Sequence, residues 1–249
     1  MSGHSKWATI KHKKGALDAK RGKIFTRLIK EISIAAKSGG DPDTNPRLRT
    51  AIAAAKAENM PADNIKRAIQ RGTGELPGAT YEEFTLEGYG PGGVAILVEA
   101  LSNNRNRTGG ALRAVFTKYG GNLAATGAVG HMFAHVGEIG FPASAASADV
   151  MLEAAIEAGA EDVQSDGNGH LVTCTFEDLA VVSAALEAKL GKPASVKALW
   201  KPMQTTAVDE EKAASTLKLI AALEDDDDVQ NVYSNFEVSD AVLARLTAA

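Results

Sequence analysis

Residues 161–176 read EDVQSDGNGHLVTCTF. Two β-favouring runs, 161–165 and 170–176, flank Asp166-Gly167-Asn168-Gly169. A two-residue hairpin turn needs positive φ, which Gly and Asn adopt at little steric cost, so the stretch predicts a hairpin. Working outward, residues 149–158 predict a helix with Met151, Leu152, Ala155 and Ile156 inward, preceded by a strand near 135–141. Residues 177–190 predict a helix burying Leu179, Val182, Leu186 and Leu190 and stopped by Gly191 and Pro193. A strand at 195–201 closes the set. The order β-α-β-β-α-β is that of a ferredoxin-like unit.

Further out, a second α+β set surrounds the first. Residues 82–89 and 94–101 read as strands joined by GYGPGG. Gly88, Gly90 and Gly93 match G-x-G-x-x-G, but a dinucleotide site needs a helix straight after the third glycine. The β-branched VAILV follows instead, so the glycines predict a hairpin turn. A helix over 105–119 with Leu112, Val115 and Phe116 inward and a strand over about 123–133 follow. After the ferredoxin-like unit, residues 209–224 form a helix with Ala213, Leu217, Ile220 and Leu223 inward, and 229–237 form a last strand. The simplest topology inserts residues 135–205 into a domain made of 78–134 and 206–249, both being helices on antiparallel sheets.

Towards the N-terminus the period becomes helical. Ile24, Leu28, Ile32 and Ala35 mark the buried stripe of a helix over about 23–38, stopped by Gly39 and Gly40. Lys23, Arg27, Lys30 and Lys37 share a different face. Asn45 and Pro46 open a second helix as N-cap and first helical residue. A third runs from about Ala62 to Arg71, burying Ile65 and Ile69. Residues 73–80, TGELPGAT, read as a linker. Residues 1–22 hold little apolar surface and predict a mobile arm. The fold class is therefore α+β. A flexible basic arm (1–22) and a small helical domain (23–77) precede two α+β domains, one inserted in the other.

Charge is distributed unevenly. Residues 1–71 carry 16 Lys+Arg against 6 Asp+Glu, a balance of +10. The remaining residues carry 11 against 25, a balance of −14, and the whole chain has −4. Such asymmetry points to a polyanion-binding end on an acidic body. The expected contacts are Lys6, Lys11, Lys13, Lys14, Lys20, Arg21 and Lys23 of the arm region and Arg27 and Lys30 on the first helix, with His4 and His12 as further donors. Trp7 sits among these cations, either stacking on an unpaired base or stapling the arm to the body. Arg105 and Arg107 open the helix after Asn103-Asn104, where amides and guanidiniums suit an anion, unless the asparagines serve only as caps.

Other chemistries find little support. There is no phosphate-cradling motif of the Walker type. His131 and His135 fall on a predicted strand, where four residues span roughly 13 Å, too far to share a zinc ion. Asp166 and Asn168 lack the further ligands of a calcium loop. The run Asp225 to Asp228 reads as a solvated loop, with a magnesium site, a partner site or an internal mimic that holds the basic arm as alternatives. The single cysteine, Cys174, makes no internal disulfide and suits a reducing compartment. No run approaches the roughly 18 apolar residues of a membrane span. The expectation is a cytoplasmic, non-enzymatic protein with no cofactor, metal, membrane or small-molecule substrate.

Particular stretches also carry a resemblance. GHSKWATIKHKKGALDAKRGKIFTRLIKEI, NPRLRTAIAAAKAENMPADNIKRAIQRG, YEEFTLEGYGPGGVAILVEALSNNRNRT and KYGGNL resemble the YebC/PmpR family over essentially the whole chain in order. The motif begins at Met1, so the chain looks like a bacterial member rather than the mitochondrial translational activator of cytochrome c oxidase subunit one. Ala-rich departures fall in 143–160 and 207–222. The resemblance implies three domains, with the third inserted in the second. It implies a probable transcriptional regulator that binds DNA. It also implies an alternative, a ribosome-associated translation factor that relieves stalling at proline runs. In that case the arm from Ser2 to Lys23 reaches ribosomal RNA of the large subunit.

Overall fold

The computed structural model describes residues 19–239 together with 241, 242 and 245, with side chains from residue 22 onward. Three helices come first: α1 (Ala19–Ala35), extended by a 3-10 turn (Ala36–Ser38), α2 (Pro46–Ala57) and α3 (Ala62–Gly72). The first begins four residues ahead of the expected Lys23, so the end of the expected arm is helical. Its buried stripe is Ile32, Ala35 and Ala36, with Leu28, Phe25 and Ile29 packed alongside. Phe25 and Ile29 thus take the place expected of Ile24. Asn45 caps α2, accepting from Leu48 N at 3.1 Å, and its amide donates to Ala35 O and Gly39 O. One side chain therefore ends one helix and starts the next.

A four-stranded sheet follows, built from β1 (Glu82–Tyr89), β2 (Ala95–Ser102), β3 (Asn122–Leu123) and β9 (Val229–Ser234) in the order β3-β1-β2-β9. The glycine-rich stretch between β1 and β2 is a hairpin connection. The C-terminal strand β9 pairs antiparallel with β2. Helices α4 (Arg105–Lys118) and α7 (Glu210–Glu224) cover one face through Leu112, Phe116, Ala213, Leu217, Ile220 and Leu223. On the other face Ala95 and Leu97 meet Val129, Phe133 and Trp200. Being covered on both faces, β2 needs the near-continuous apolar run VAILVEAL.

The inserted unit is β4 (Phe133–Pro142), α5 (Ala148–Ala158), β5 (Asp162–Asp166), β6 (Gly169–Thr175), α6 (Leu179–Leu190) and β7 (Ser195–Pro202), with sheet order β5-β6-β4-β7. All its pairings are antiparallel, which gives the ferredoxin-like arrangement. The Asp166 carboxylate shapes the β5–β6 turn, accepting from Asn168 N at 2.7 Å and Gly169 N at 3.2 Å. Short β8 (Thr206–Ala207) and β10 (Phe236–Glu237) pair in parallel near the return to the first sheet.

Two expectations are corrected. The strand over 123–133 shrinks to the two residues of β3, and β4 does not start until Phe133. The intervening loop folds around the Glu87 carboxylate, which accepts from Gly127 N, Val129 N and Gly130 N at 2.6–2.8 Å. Those three amides cannot serve a ladder at the same time. On α5, Met151 and Ala155 are buried as expected, but Leu152 and Ile156 are exposed, and Ala154 takes the inward place. Among the described residues no helix is long and apolar enough to cross a membrane.

Candidate nucleic-acid interface

The basic face of α1 forms because its cations recur every three, four or seven residues, opposite the apolar stripe. That face is turned to the rest of the chain, buried at Lys30 and still partly exposed at Lys23. It grips the loop between α7 and β9, where the acidic run lies. Lys23 Nζ donates to Asp225 Oδ1 at 2.7 Å and to its carbonyl at 3.0 Å. Arg27 Nη2 donates to Asp226 O at 3.2 Å. Lys30 Nζ donates to Asp228 Oδ1 at 2.6 Å and to Asp227 O at 2.8 Å. The expected solvated loop is solvated at Asp225 and Asp227 but packed at its end, where Asp228 is only 8% exposed.

Asp228 also receives the opening turn of α4. Its Oδ2 accepts from Ser102 Oγ at 2.9 Å, Thr108 Oγ1 at 2.7 Å and Arg107 Nη2 at 2.8 Å. Burial by itself would raise this carboxyl. The hydrogen bonds from Lys30, Thr108, Arg107 and Ser102 override it and hold the group well below the ordinary carboxylate range. The helix N-terminus read as an anion site therefore holds an anion from its own chain. Asn104 caps that helix, accepting from Arg107 N at 3.0 Å. Arg105 turns away and lies 5.1 Å over the Phe84 ring.

Other cations of the helical domain also face the rest of the chain. Lys37 Nζ donates to Tyr81 O at 2.7 Å. Arg47 forks between Glu31 and Glu83, at 2.8 and 2.9 Å. Arg49 Nη2 reaches Glu187 Oε2 of the inserted unit at 2.6 Å, and Thr50 Oγ1 accepts from Val196 N at 3.1 Å. Ion pairs of Lys23, Lys30, Arg47 and Arg49 thus fasten the basic helical domain to the acidic body.

The sequence-derived contact residues divide into four groups. His4, Lys6, Trp7, Lys11, His12, Lys13 and Lys14 lie outside the described residues. Lys20 and Arg21 fall in the first turn of α1. Lys23, Arg27, Lys30 and Arg107 converge on the Asp225–Asp228 loop, while Arg105 lies apart from it on the Phe84 ring. Sequence reading passed over Lys66, Arg67 and Arg71 of α3, which are exposed. The signal was available in IKRAIQR, whose cations avoid the side carrying Ile65, Ala68 and Ile69.

The decoys have structural roles. His135 stacks between Phe176 and Trp200 with centroids at 3.9 and 4.2 Å, and burial lowers its pKa. His131 lies in a 3-10 turn, and Cys174 is buried in the inserted unit's core.

Comparison with known proteins gives a consistent match along the chain. Residues 5–75 match the model of the TACO1/YebC protein N-terminal domain, and residues 81–236 match that of the TACO1/YebC second and third domain. A solved structure, that of the conserved hypothetical protein Aq1575 from Aquifex aeolicus, is 49% identical. The likeness covers 94% of this chain and 98% of that one, with a TM-score of 0.77.

Proposed function

The chain belongs to the TACO1/YebC family, and from that premise we propose that it is a nucleic-acid-binding regulator of gene expression acting without catalysis. It contacts its polyanion through the basic N-terminal arm and the helical domain. The family's transcriptional-regulator label agrees with this reading.

The observation that carries it is the charge of residues 1–71, +10 against −14 for the remainder. The docking contacts absorb Lys23, Arg27, Lys30, Lys37, Arg47 and Arg49. The sequence of the arm region adds Lys6, Lys11, Lys13, Lys14, Lys20 and Arg21, and among the described residues α3 adds the exposed cations Lys66, Arg67 and Arg71. Each cation placed on a phosphate releases a counterion, so such a surface binds nucleic acid with a steep salt dependence. Of the acidic run that a nuclease would use, Asp228 is committed elsewhere, held by Lys30, Ser102, Arg107 and Thr108.

Ribosomal RNA is the second reading, favoured by Trp7. A lone indole among lysines suits an unpaired base better than duplex DNA. Crosslinking in cells, followed by sequencing of the attached nucleic acid, separates the two. Reads at promoters support a transcriptional role. Reads in large-subunit ribosomal RNA support a translational one, with the large ribosomal subunit as partner. Absence of crosslinked nucleic acid would sink both.

A further inference from the structure

We infer that the phosphate-contacting face of the helical domain is the outer face of α3, formed by Lys66, Arg67, Gln70 and Arg71, rather than the basic face of α1. The inference rests on the nucleic-acid-binding reading above and assigns that activity a surface.

The first argument is occupancy. Three α1 cations already have acceptors: Lys23 and Lys30 hold the Asp225 and Asp228 carboxylates, and Arg27 donates to the Asp226 carbonyl. A phosphate arriving there must displace a buried carboxylate from Lys30 and leave Asp228 facing only its remaining donors. The side chains of Lys66, Arg67 and Arg71 have no hydrogen bond or ion pair among the described residues. A phosphate gains their charge without breaking a contact.

The second argument is placement. Ile65 and Ala68 are buried against α1 and α2, which sends Lys66, Arg67 and Arg71 outward. Lys66 and Gln70, and likewise Arg67 and Arg71, are one turn apart, so the four side chains form two adjacent rows stepped by about 6 Å along the axis. The helix macrodipole favours cations only in the last turn. That accounts for Arg71 but not for Lys66 and Arg67 in mid-helix.

The third argument is continuity. Arg71 runs along the linker, with its Cγ and Cδ 3.2 and 3.1 Å from where a Cβ on Gly78 would lie. There it lines a cleft with Lys37, Ser33, Tyr81 and the linker backbone around Gly78. The cationic face of α3 thus runs into a recess beside the linker, where Arg71 is, among the described residues, the cation whose side chain has no hydrogen-bonded partner, since Lys37 is held by the Tyr81 carbonyl.

The test is fluorescence anisotropy with the full chain, a labelled RNA hairpin and a labelled DNA duplex, titrated across a range of KCl concentrations. Lys66→Ala/Arg67→Ala/Arg71→Ala should weaken binding to the probe the wild type prefers. It should also reduce the slope of log K against log salt by about 2–3, as three lost phosphate contacts require. The pair Lys66→Ala/Arg67→Ala, which leaves the linker contact of Arg71 intact, should give about two thirds of that change. Arg113→Ala/Lys118→Ala, removing two exposed cations of α4, serves as the like-for-like control and should leave the slope unchanged. If the wild type binds and the triple variant keeps its affinity and slope, the inference falls while the nucleic-acid reading stands. An equal loss in the α4 control also overturns it, because the effect is then one of net charge. If the wild type binds neither probe, both readings fail.

Discussion

Lys30 Nζ lies 2.6 Å from Asp228 Oδ1, although 198 residues separate them in sequence. The pair ties the first helix to the start of the last strand of the first sheet. Both side chains are nearly buried, at 7% and 11% exposure. Removing one partner of a buried pair strands the other, so the two ends of this bond should respond differently to mutation.

Asp228→Ala should destabilise the protein by about 3–5 kcal/mol, because it leaves the Lys30 ammonium uncompensated. It also deprives Ser102 and Thr108 of their acceptor. Lys30→Met should lose clearly less, since Asp228 keeps Arg107, Ser102 and Thr108. Urea unfolding of the two variants measures the difference, and equal losses would show that the remaining donors contribute nothing.

Acid should weaken the same joint. The folded-state pKa of Asp228 is depressed, so the unfolded chain takes up the proton first as pH falls. The stabilisation is complete above the ordinary Asp value of about 4 and is lost progressively below it. The Glu87 carboxyl acts in the same direction: burial opposes ionisation, but the backbone donors of Gly127, Val129 and Gly130 prevail and depress its pKa. The urea midpoint should therefore drop between about pH 5 and pH 3, and the drop should be shallower in Asp228→Asn.

Glu87→Gln should loosen the loop over 124–132 while leaving the sheet paired. An amide oxygen offers less charge to the three backbone donors that Glu87 now serves, and charge-assisted hydrogen bonds contribute about 1.5–3 kcal/mol each. Amide hydrogen exchange should accelerate at Gly127, Val129 and Gly130. Unchanged protection there would mean that the loop is held by Val129 and Phe133 packing alone.

Gly72→Ala should open the helical domain. A Cβ at that position would collide with the Ser33 carbonyl of α1 and lie 2.7 Å from Ala36 Cβ. Backbone cannot move aside as a side chain can, so the expected loss is about 1–3 kcal/mol, typical of overpacking. Thermal unfolding checks it. An unaltered melting temperature would mean that α1 and α3 shift apart freely.

Much of the architecture was legible from local chemistry. Asn45-Pro46 marks a helix start and Asp166-Gly167-Asn168-Gly169 a hairpin, because caps and tight turns are decided within a few residues. The apolar run of β2 and the 3.6-residue stripe of α7 gave the core positions Val98, Leu217, Ile220 and Leu223. The exposure of Leu152 and Ile156 was not legible. On an Ala-rich helix several faces look equally apolar, and the sheet below chose the side with Met151, Ala154 and Ala155.

By itself the sequence determined the order of elements, the α+β class, the family and the concentration of positive charge in the first 71 residues. The family follows from the resemblance of whole motifs, and the rest from composition, spacing and near-neighbour geometry. Only the tertiary structure decided what that charge meets. Lys23, Arg27 and Lys30 look free in sequence because their partners lie some 200 residues away, and the loop from Asp225 to Asp228 looks solvated for the same reason. Coulombic and hydrogen-bonding partnerships depend on distance in space. Until the last strand paired with β2, nothing local to either segment specified that α1 would close on the acidic loop while α3 kept its cations in water.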